Sequence, residues 1–201
     1  MKIFSKNIDY TINDEFIKLL RKGDSNALHF FYNRYASSIY TITLRYINNV
    51  QDAEDLLQDS LIKILESLQK FQFVDENSFK SWMKKISINT TLNYIRDRNK
   101  MQNVDEFPID LISNFDAEHD LNFTLPEIEP EQLFEVISEL PIGYKTVLNL
   151  FVFENYSHKE IATQLNISEN TSKTQLLKAR KLLKTKLEKK YSFIKINEYG
   201  K

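Results

Sequence analysis

Apolar residues recur at helical spacing along most of the chain, and short polar stretches cut that pattern into segments. Phe16, Leu19 and Leu20 mark a first amphipathic helix, with Gly23 placed to close it as a C-terminal cap. Asp24 or Ser25 suits the cap of a second helix carrying Ala27, Leu28, Phe31, Tyr35, Ile39 and Ile42. Asn48-Asn49 breaks the pattern and Asp52 begins a third helix, whose two faces differ sharply. Ala53, Leu56, Leu57, Ser60, Leu61, Ile64, Leu65 and Leu68 form a wide apolar stripe, while Asp55, Gln58, Asp59, Ile62 and Glu66 gather on another face. Phe71–Asn77 reads as a loop, with Ser78 as the cap of a helix in which Phe79, Met83, Ile86, Thr90 and Tyr94 repeat at helical spacing.

From Met101 to Glu131 no helical period survives. Acids from Asp105 to Glu131 accumulate without a Lys or Arg, and Pro108, Pro126 and Pro130 interrupt the stretch. This composition predicts a flexible acidic linker over 101–129, largely disordered when the protein is alone. It divides an all-α chain into two small helical domains, 12–100 and 130–190. In the second, Pro130 suits the first turn of a helix carrying Leu133, Val136, Ile137 and Leu140, which Pro141 ends. Tyr144, Val147, Leu148 and Phe151 mark another helix, closing near Asn155.

Ser157 and Glu160 then form S-x-x-E, a capping box opening a helix with Ile161, Ala162 and Leu165 on one face. Asn166 tolerates the left-handed backbone that ends a helix sharply, Ile167 plugs the turn, and Ser168 caps a final helix. That helix carries Lys173, Thr174, Gln175, Lys178, Arg180 and Lys181. Two short helices on a tight turn, the second rich in donors, follow the helix-turn-helix plan for reading a major groove. The blander alternative is a helical hairpin with a solvated charged face.

Three glycines and four prolines in 201 residues argue for helices over a sheet with many turns. Without cysteine there is no disulfide, thiolate metal site or cysteine nucleophile, which fits a cytoplasmic home. No signal peptide and no apolar run long enough for a membrane span is visible. The formal net charge of −1 says nothing about nucleic acid, whereas the distribution of charge does. Lys80, Lys84, Lys85, Arg96, Arg98 and Lys100 make the fourth segment basic, with Trp82, Asn89 and Asn93 among them. Cations for phosphates beside an aromatic and amides for bases is a combination that binds single-stranded or melted nucleic acid. The grouped acids of the third helix read as a solvated face or as a docking surface for a basic partner. Ile62, apolar among them, favours docking over the solvated face, and a metal site lacks a histidine or second carboxylate cluster nearby. His29, His119 and His158 show no ligand spacing, and neither a phosphate loop nor a Ser/His/Asp arrangement is present. No cofactor, metal, small-molecule substrate or catalytic residue is expected.

The order AEDLLQDSLIKILESLQKF, SFKSWMKKISINTTLNYIR, acidic linker, LPIGYKTVLNLFVFENYSHKEIATQLNISENTSKTQLLKAR resembles an extracytoplasmic-function sigma factor from Phe16 to Leu187. These are two-domain specificity subunits of bacterial RNA polymerase. The resemblance implies that the first domain is sigma region 2, whose Asp55, Gln58, Asp59 and Ile62 dock the β′ clamp of core polymerase. It assigns Asn77, Phe79, Lys80, Trp82, Lys84, Lys85, Asn89 and Arg96 to recognition and melting of the −10 element. The linker would thread the polymerase active-site and RNA-exit channels. The second domain would be region 4, which contacts the β flap and reads the −35 element with Ser168, Glu169, Asn170, Thr171, Lys173, Thr174, Gln175, Lys178, Arg180 and Lys181. Promoter DNA and core polymerase are the implied partners, and an anti-sigma factor, a separate chain, is a further one.

Asn166 stands where the family commonly has Gly, and Ser172 where Val or Ile packs. A buried Ser can bond a carbonyl one turn back. Gln175 replaces a frequent basic residue and favours adenine over guanine as its base partner. Two rival classes are a helix-turn-helix regulator that acts without being a polymerase subunit and a helical carboxylate-metal hydrolase. The first would not need the AEDLLQ helix or the basic Trp segment, and the second lacks ligand spacing.

Overall fold

The computed structural model describes residues 9–102 and 129–198, with side chains placed over 9–98 and 129–191. Among these residues every regular element is a helix, and the chain divides into two compact units, Met1–Arg98 and Asn99–Lys201. The acidic linker and His119 lie outside the described residues, apart from the ends of the linker.

In the first unit a polar side chain opens each long helix by taking an amide that has no partner within the helix. Asn13 accepts from the Phe16 amide at 2.9 Å to begin α1 (Asp14–Arg21). Gly23 follows at φ +73°, the left-handed conformation its position predicted. Asp24 accepts from the Ala27 amide at 2.9 Å to begin α2 (Ser25–Tyr46), and Asn49 accepts from the Asp52 amide at 3.0 Å to begin α3 (Val50–Ser67). A short 3₁₀ turn, Leu68–Lys70, ends that helix.

The helix after the loop, α4 (Glu76–Gln102), starts earlier than the sequence suggested. Asp75, not Ser78, is its cap: Asp75 Oδ1 accepts from the Ser78 amide at 2.6 Å, and Ser78 Oγ accepts from the Asp75 amide at 3.1 Å. A carboxylate at the helix start is favoured over a hydroxyl because it also meets the positive end of the helix dipole. The core collects Phe16, Ile17 and Leu20 of α1, Phe31, Tyr35 and Ile39 of α2, and Leu61 and Ile64 of α3. Leu68, Phe79 and Met83 complete it.

The second unit opens at α5 (Pro130–Ser138), with Pro130 in the first turn as expected. Pro141 then precedes α6 (Ile142–Leu148), which widens into a π-helical turn, Asn149–Phe153, and stops at Asn155 with φ 57°. Next come α7 (His158–Leu165) and α8 (Glu169–Glu198), the latter running through the stretch from Tyr191 on which the sequence was silent. Val136, Ile137, Leu140, Val147, Leu150, Ile161, Leu165, Leu176, Ala179, Leu183 and Leu187 bury the apolar stripes. Lys186 and Lys190 pair with Glu139 at 2.7 and 3.2 Å, tying the middle of α8 to the end of α5.

Lys145 of α6 is 2% exposed, and its ammonium donates to the Ser138 carbonyl at 3.3 Å, at the negative end of α5. Burial pulls its pKa from 10.5 down to about 8. Between those two values the unfolded chain holds a proton that the folded one has shed, so stability of this unit rises with pH across that window and not below it. Urea unfolding between pH 7 and 10 is expected to show a rise of at most about 1.4 kcal/mol per pH unit. A Lys145→Met chain should lose that slope; an unchanged slope would assign it elsewhere.

Candidate partner and nucleic-acid interfaces

The acidic face of α3 is built by spacing. Asp55, Gln58, Asp59, Ile62 and Glu66 fall on one side of the helix, opposite buried Ala53, Leu56, Ser60, Leu61 and Ile64. All five are exposed, and Ile62 keeps 54% of its surface in solvent. Neither Asp55 nor Asp59 makes an ion pair among the described residues. This face therefore sets carboxylates without an ion pair beside an exposed apolar side chain. Among the described residues no group of three His, Cys, Asp or Glu is placed to hold a metal ion.

The loop before α4 is held by a residue that no local pattern marks. Arg21, fifty residues from its partner, donates from Nη2 to the Phe71 carbonyl at 2.5 Å and from Nε to the Leu68 carbonyl at 3.0 Å. Phe71 stacks on Trp82 at 4.4 Å between centroids, and Trp82 in turn lies 5.9 Å from Phe79. The loop is pinned at its base and presents Val74, 77% exposed, at its tip. Only the long-range placement of Arg21 reveals this role; an Arg in the last turn of a helix is otherwise unremarkable.

The residues assigned to the −10 element do not form one surface. Trp82, Lys85, Asn89 and Arg96 share one side of α4, half-buried or exposed. Asn77, Lys80 and Lys84 fall on an adjacent side by helical spacing, and Lys80 and Lys84 line a cavity with Arg34 of α2. Glu76 bridges Arg34 at 3.0 Å and Lys80 at 2.8 Å, and these two cations, Lys80 foremost, hold its carboxyl below the usual carboxylate range. Phe79 is fully buried against Phe31, Tyr35, Phe71 and Trp82. Its spacing marked it as apolar, but only packing shows that both of its sides are covered.

The helix-turn-helix has the predicted geometry. Ser157 Oγ accepts from the Glu160 amide at 3.3 Å while Glu160 Oε2 accepts from the Ser157 amide at 2.8 Å. Asn166 sits at φ 54°, ψ 47°, and Ser168 Oγ accepts from the Thr171 amide at 2.9 Å. Ser168, Glu169, Asn170, Lys173 and Lys181 are exposed; Thr171, Thr174, Lys178 and Arg180 are half-buried. Lys173, Thr174 and Lys181 line up with Asn170 on the outward side of α8.

Gln175 differs in exposure from the other α8 residues assigned to the −35 element. It is 2% exposed, on the inward stripe of α8 with Ser172, Leu176, Ala179 and Leu183, and neither Oε1 nor Nε2 has a hydrogen-bond partner. Ser172 is buried too, but its hydroxyl meets His158 Nδ1 at 2.9 Å, the contact that replaces the expected bond one turn back. His158 is accordingly half-buried and stacked on Phe151 at 4.7 Å, not a plain surface residue. His29 remains exposed, 3.2 Å from the Asn33 amide. Among the described residues no helix is long and apolar enough to cross a membrane.

Comparison with known proteins matches this layout. The sigma-70 region 2 family covers residues 31–101 and the sigma-70 region 4 family covers residues 131–183. RNA polymerase sigma factor SigV of Bacillus subtilis is 30% identical over 155 residues, spanning 77% of this chain and 87% of that protein. The ECF RNA polymerase sigma-E factor of Haemophilus influenzae is 25% identical over 179 residues, spanning 86% of this chain and 93% of its own. The sigma factor RpoE, solved in complex with the anti-sigma factor NepR from Bartonella quintana, aligns with a TM-score of 0.49 at 18% identity. That alignment covers 79% of this chain and 94% of that one. With both family domains present in this order, the chain belongs to the extracytoplasmic-function group of sigma-70 RNA polymerase sigma factors, the subunits that direct promoter-specific transcription initiation.

Proposed function

We propose that the first unit docks core polymerase through Asp55, Gln58, Asp59 and Ile62 and engages the −10 element through the loop tip and α4. In this reading Trp82 and Asn89 meet unstacked bases while Lys80, Lys84, Lys85 and Arg96 hold phosphates, with Asn77 at the helix start. The second unit reads the −35 element through α8, with Ser168, Glu169, Asn170, Thr171, Lys173, Thr174, Lys178, Arg180 and Lys181. Phe79 and Gln175 are left out because both are buried. The single observation that carries the docking surface is exposed Ile62 on the same face of α3 as Asp55 and Asp59, two carboxylates without an ion pair among the described residues.

The protein has no catalytic residue of its own in this reading. It works in the cytoplasm, where nucleotide addition is the polymerase's chemistry. An anti-sigma factor would act as a separate chain by covering one of these surfaces.

Reconstitution with bacterial core polymerase and genome-wide run-off transcription tests the whole reading. Discrete transcripts that require this protein, with spaced −35 and −10 motifs upstream, are the expected result. Promoter binding by the protein alone, with no core association at low salt, would instead identify a free-standing regulator. Replacing Lys173 and Lys178 by Ala should weaken promoter binding without changing core affinity. If each holds one phosphate, the slope of log affinity against log salt should shrink by about 0.9 per residue. An unchanged slope would remove them from the phosphate contacts.

A further inference from the structure

His158 opens α7, and fourteen positions later Ser172 lies in the first turns of α8. The 2.9 Å contact between His158 Nδ1 and Ser172 Oγ therefore crosses the turn and joins the start of the supporting helix to the recognition helix. Phe151, from the π-helical turn, stacks on the imidazole at 25° between planes, and the Arg180 guanidinium lies 5.8 Å from the same phenyl ring. We propose that His158 positions the recognition helix through Ser172 and couples −35 binding to protonation, taking up a proton as the helix-turn-helix closes on promoter phosphates. The proposal rests on the reading of α8 as the −35 contact.

With its proton on Nε2, the tautomer this proposal takes, the neutral ring accepts the Ser172 hydroxyl proton at Nδ1. Protonated, the same nitrogen donates, and the wholly buried Ser172 must turn its own proton to another acceptor. The charged groups facing the ring come from α8: Lys173 and Arg180 oppose a further cation, and Glu169 favours one. Phe151 brings no charge, and Glu160 on the ring's own helix is turned back to the Ser157 cap. Burial first, and then Lys173 and Arg180, hold the imidazole below its ordinary value in the free chain.

Those two cations are also in the set assigned to the promoter. Phosphates that neutralise them remove the repulsion on a third cation beside them and replace it with attraction. Linkage then requires the reciprocal effect: if DNA favours the protonated ring, acid favours DNA binding. A proline or aliphatic residue at position 158 would pack but would not titrate, and Val at position 172 would leave the ring without this partner.

The test compares the full chain reconstituted with core polymerase on a promoter duplex at fixed salt from pH 7.5 to 6.0. His158→Gln retains a group able to hydrogen-bond Ser172 and does not titrate. The ratio of affinity at pH 6.0 to that at pH 7.5 is expected to exceed the His158→Gln ratio by roughly three- to tenfold, the scale of a single linked proton. In the full-length protein, the His158 imidazole followed by NMR should titrate at higher pH with the duplex than without it. Parallel pH profiles for the two chains, or an imidazole that titrates at the same pH with and without DNA, overturn the proposal. Replacing Asn170, Lys173, Thr174 and Lys181 together by Ala separates the two levels: if promoter affinity stays intact at every pH, the −35 reading itself fails.

Discussion

Reversing the charge at Asp55 and Asp59 to lysine is expected to abolish binding to core RNA polymerase while leaving the helical circular-dichroism signal intact. The two carboxylates lie one turn apart on α3, both exposed and neither ion-paired among the described residues, so no described contact depends on their sign. A partner that docks there must bring complementary charge. Like charges brought together across an interface cost several kcal/mol, and two reversals should lower affinity by about a hundredfold or more. Ile62→Ala should cost less, because it removes apolar contact without adding repulsion. Direct titration with core polymerase reads all three chains. Unchanged affinity of the double reversal would sink the docking assignment, whatever the promoter measurements say.

Phe79→Ala is expected to remove about 3–5 kcal/mol from the stability of the first unit. The ring is fully buried, with centroids 5.5 Å from Phe71, 5.8 Å from Tyr35 and 5.9 Å from Trp82. Its removal opens a cavity where α2, α4 and the base of the loop meet. A loss of that size is a large part of what a small domain has to spare. Phe79→Leu should retain most of the stability, whereas Trp82→Ala, half-buried, should affect promoter melting more than unfolding. Denaturant midpoints of the three chains test the ordering. If Phe79→Ala unfolds at the wild-type midpoint yet loses −10 recognition, Phe79 contacts DNA after all.

These two expectations separate what neighbouring residues say from what packing adds. Helix ends were legible because caps are local: Asp24, Ser157 with Glu160, Asn166 and Pro130 act within a turn of themselves. The acidic face of α3 was legible for a related reason, since one helix pattern separates a wide apolar stripe from what is left, and Ile62 falls outside the stripe. Asp75 against Ser78 shows the limit of local signals. Both residues suit a cap, each bonds the other's amide, and only the backbone shows which lies outside the helix.

Faces of helices covered on more than one side were not legible. Phe79, Trp82 and Lys85 lie within two turns of α4, yet one is core, one is wedged between rings and one is in solvent. On α8 the inward stripe takes in Gln175, whose polarity had suggested the opposite. Ser172 finds His158 fourteen residues back, and Arg21 finds the Phe71 carbonyl fifty residues on. The sequence by itself determined the helices, most of their caps and the two-domain order, because each follows from spacing along one chain segment, while the family followed from the resemblance carried by the order of its motifs. The tertiary structure alone decided which polar side chains face a partner and which are enclosed, because that depends on which second element covers each face, and no local period encodes it.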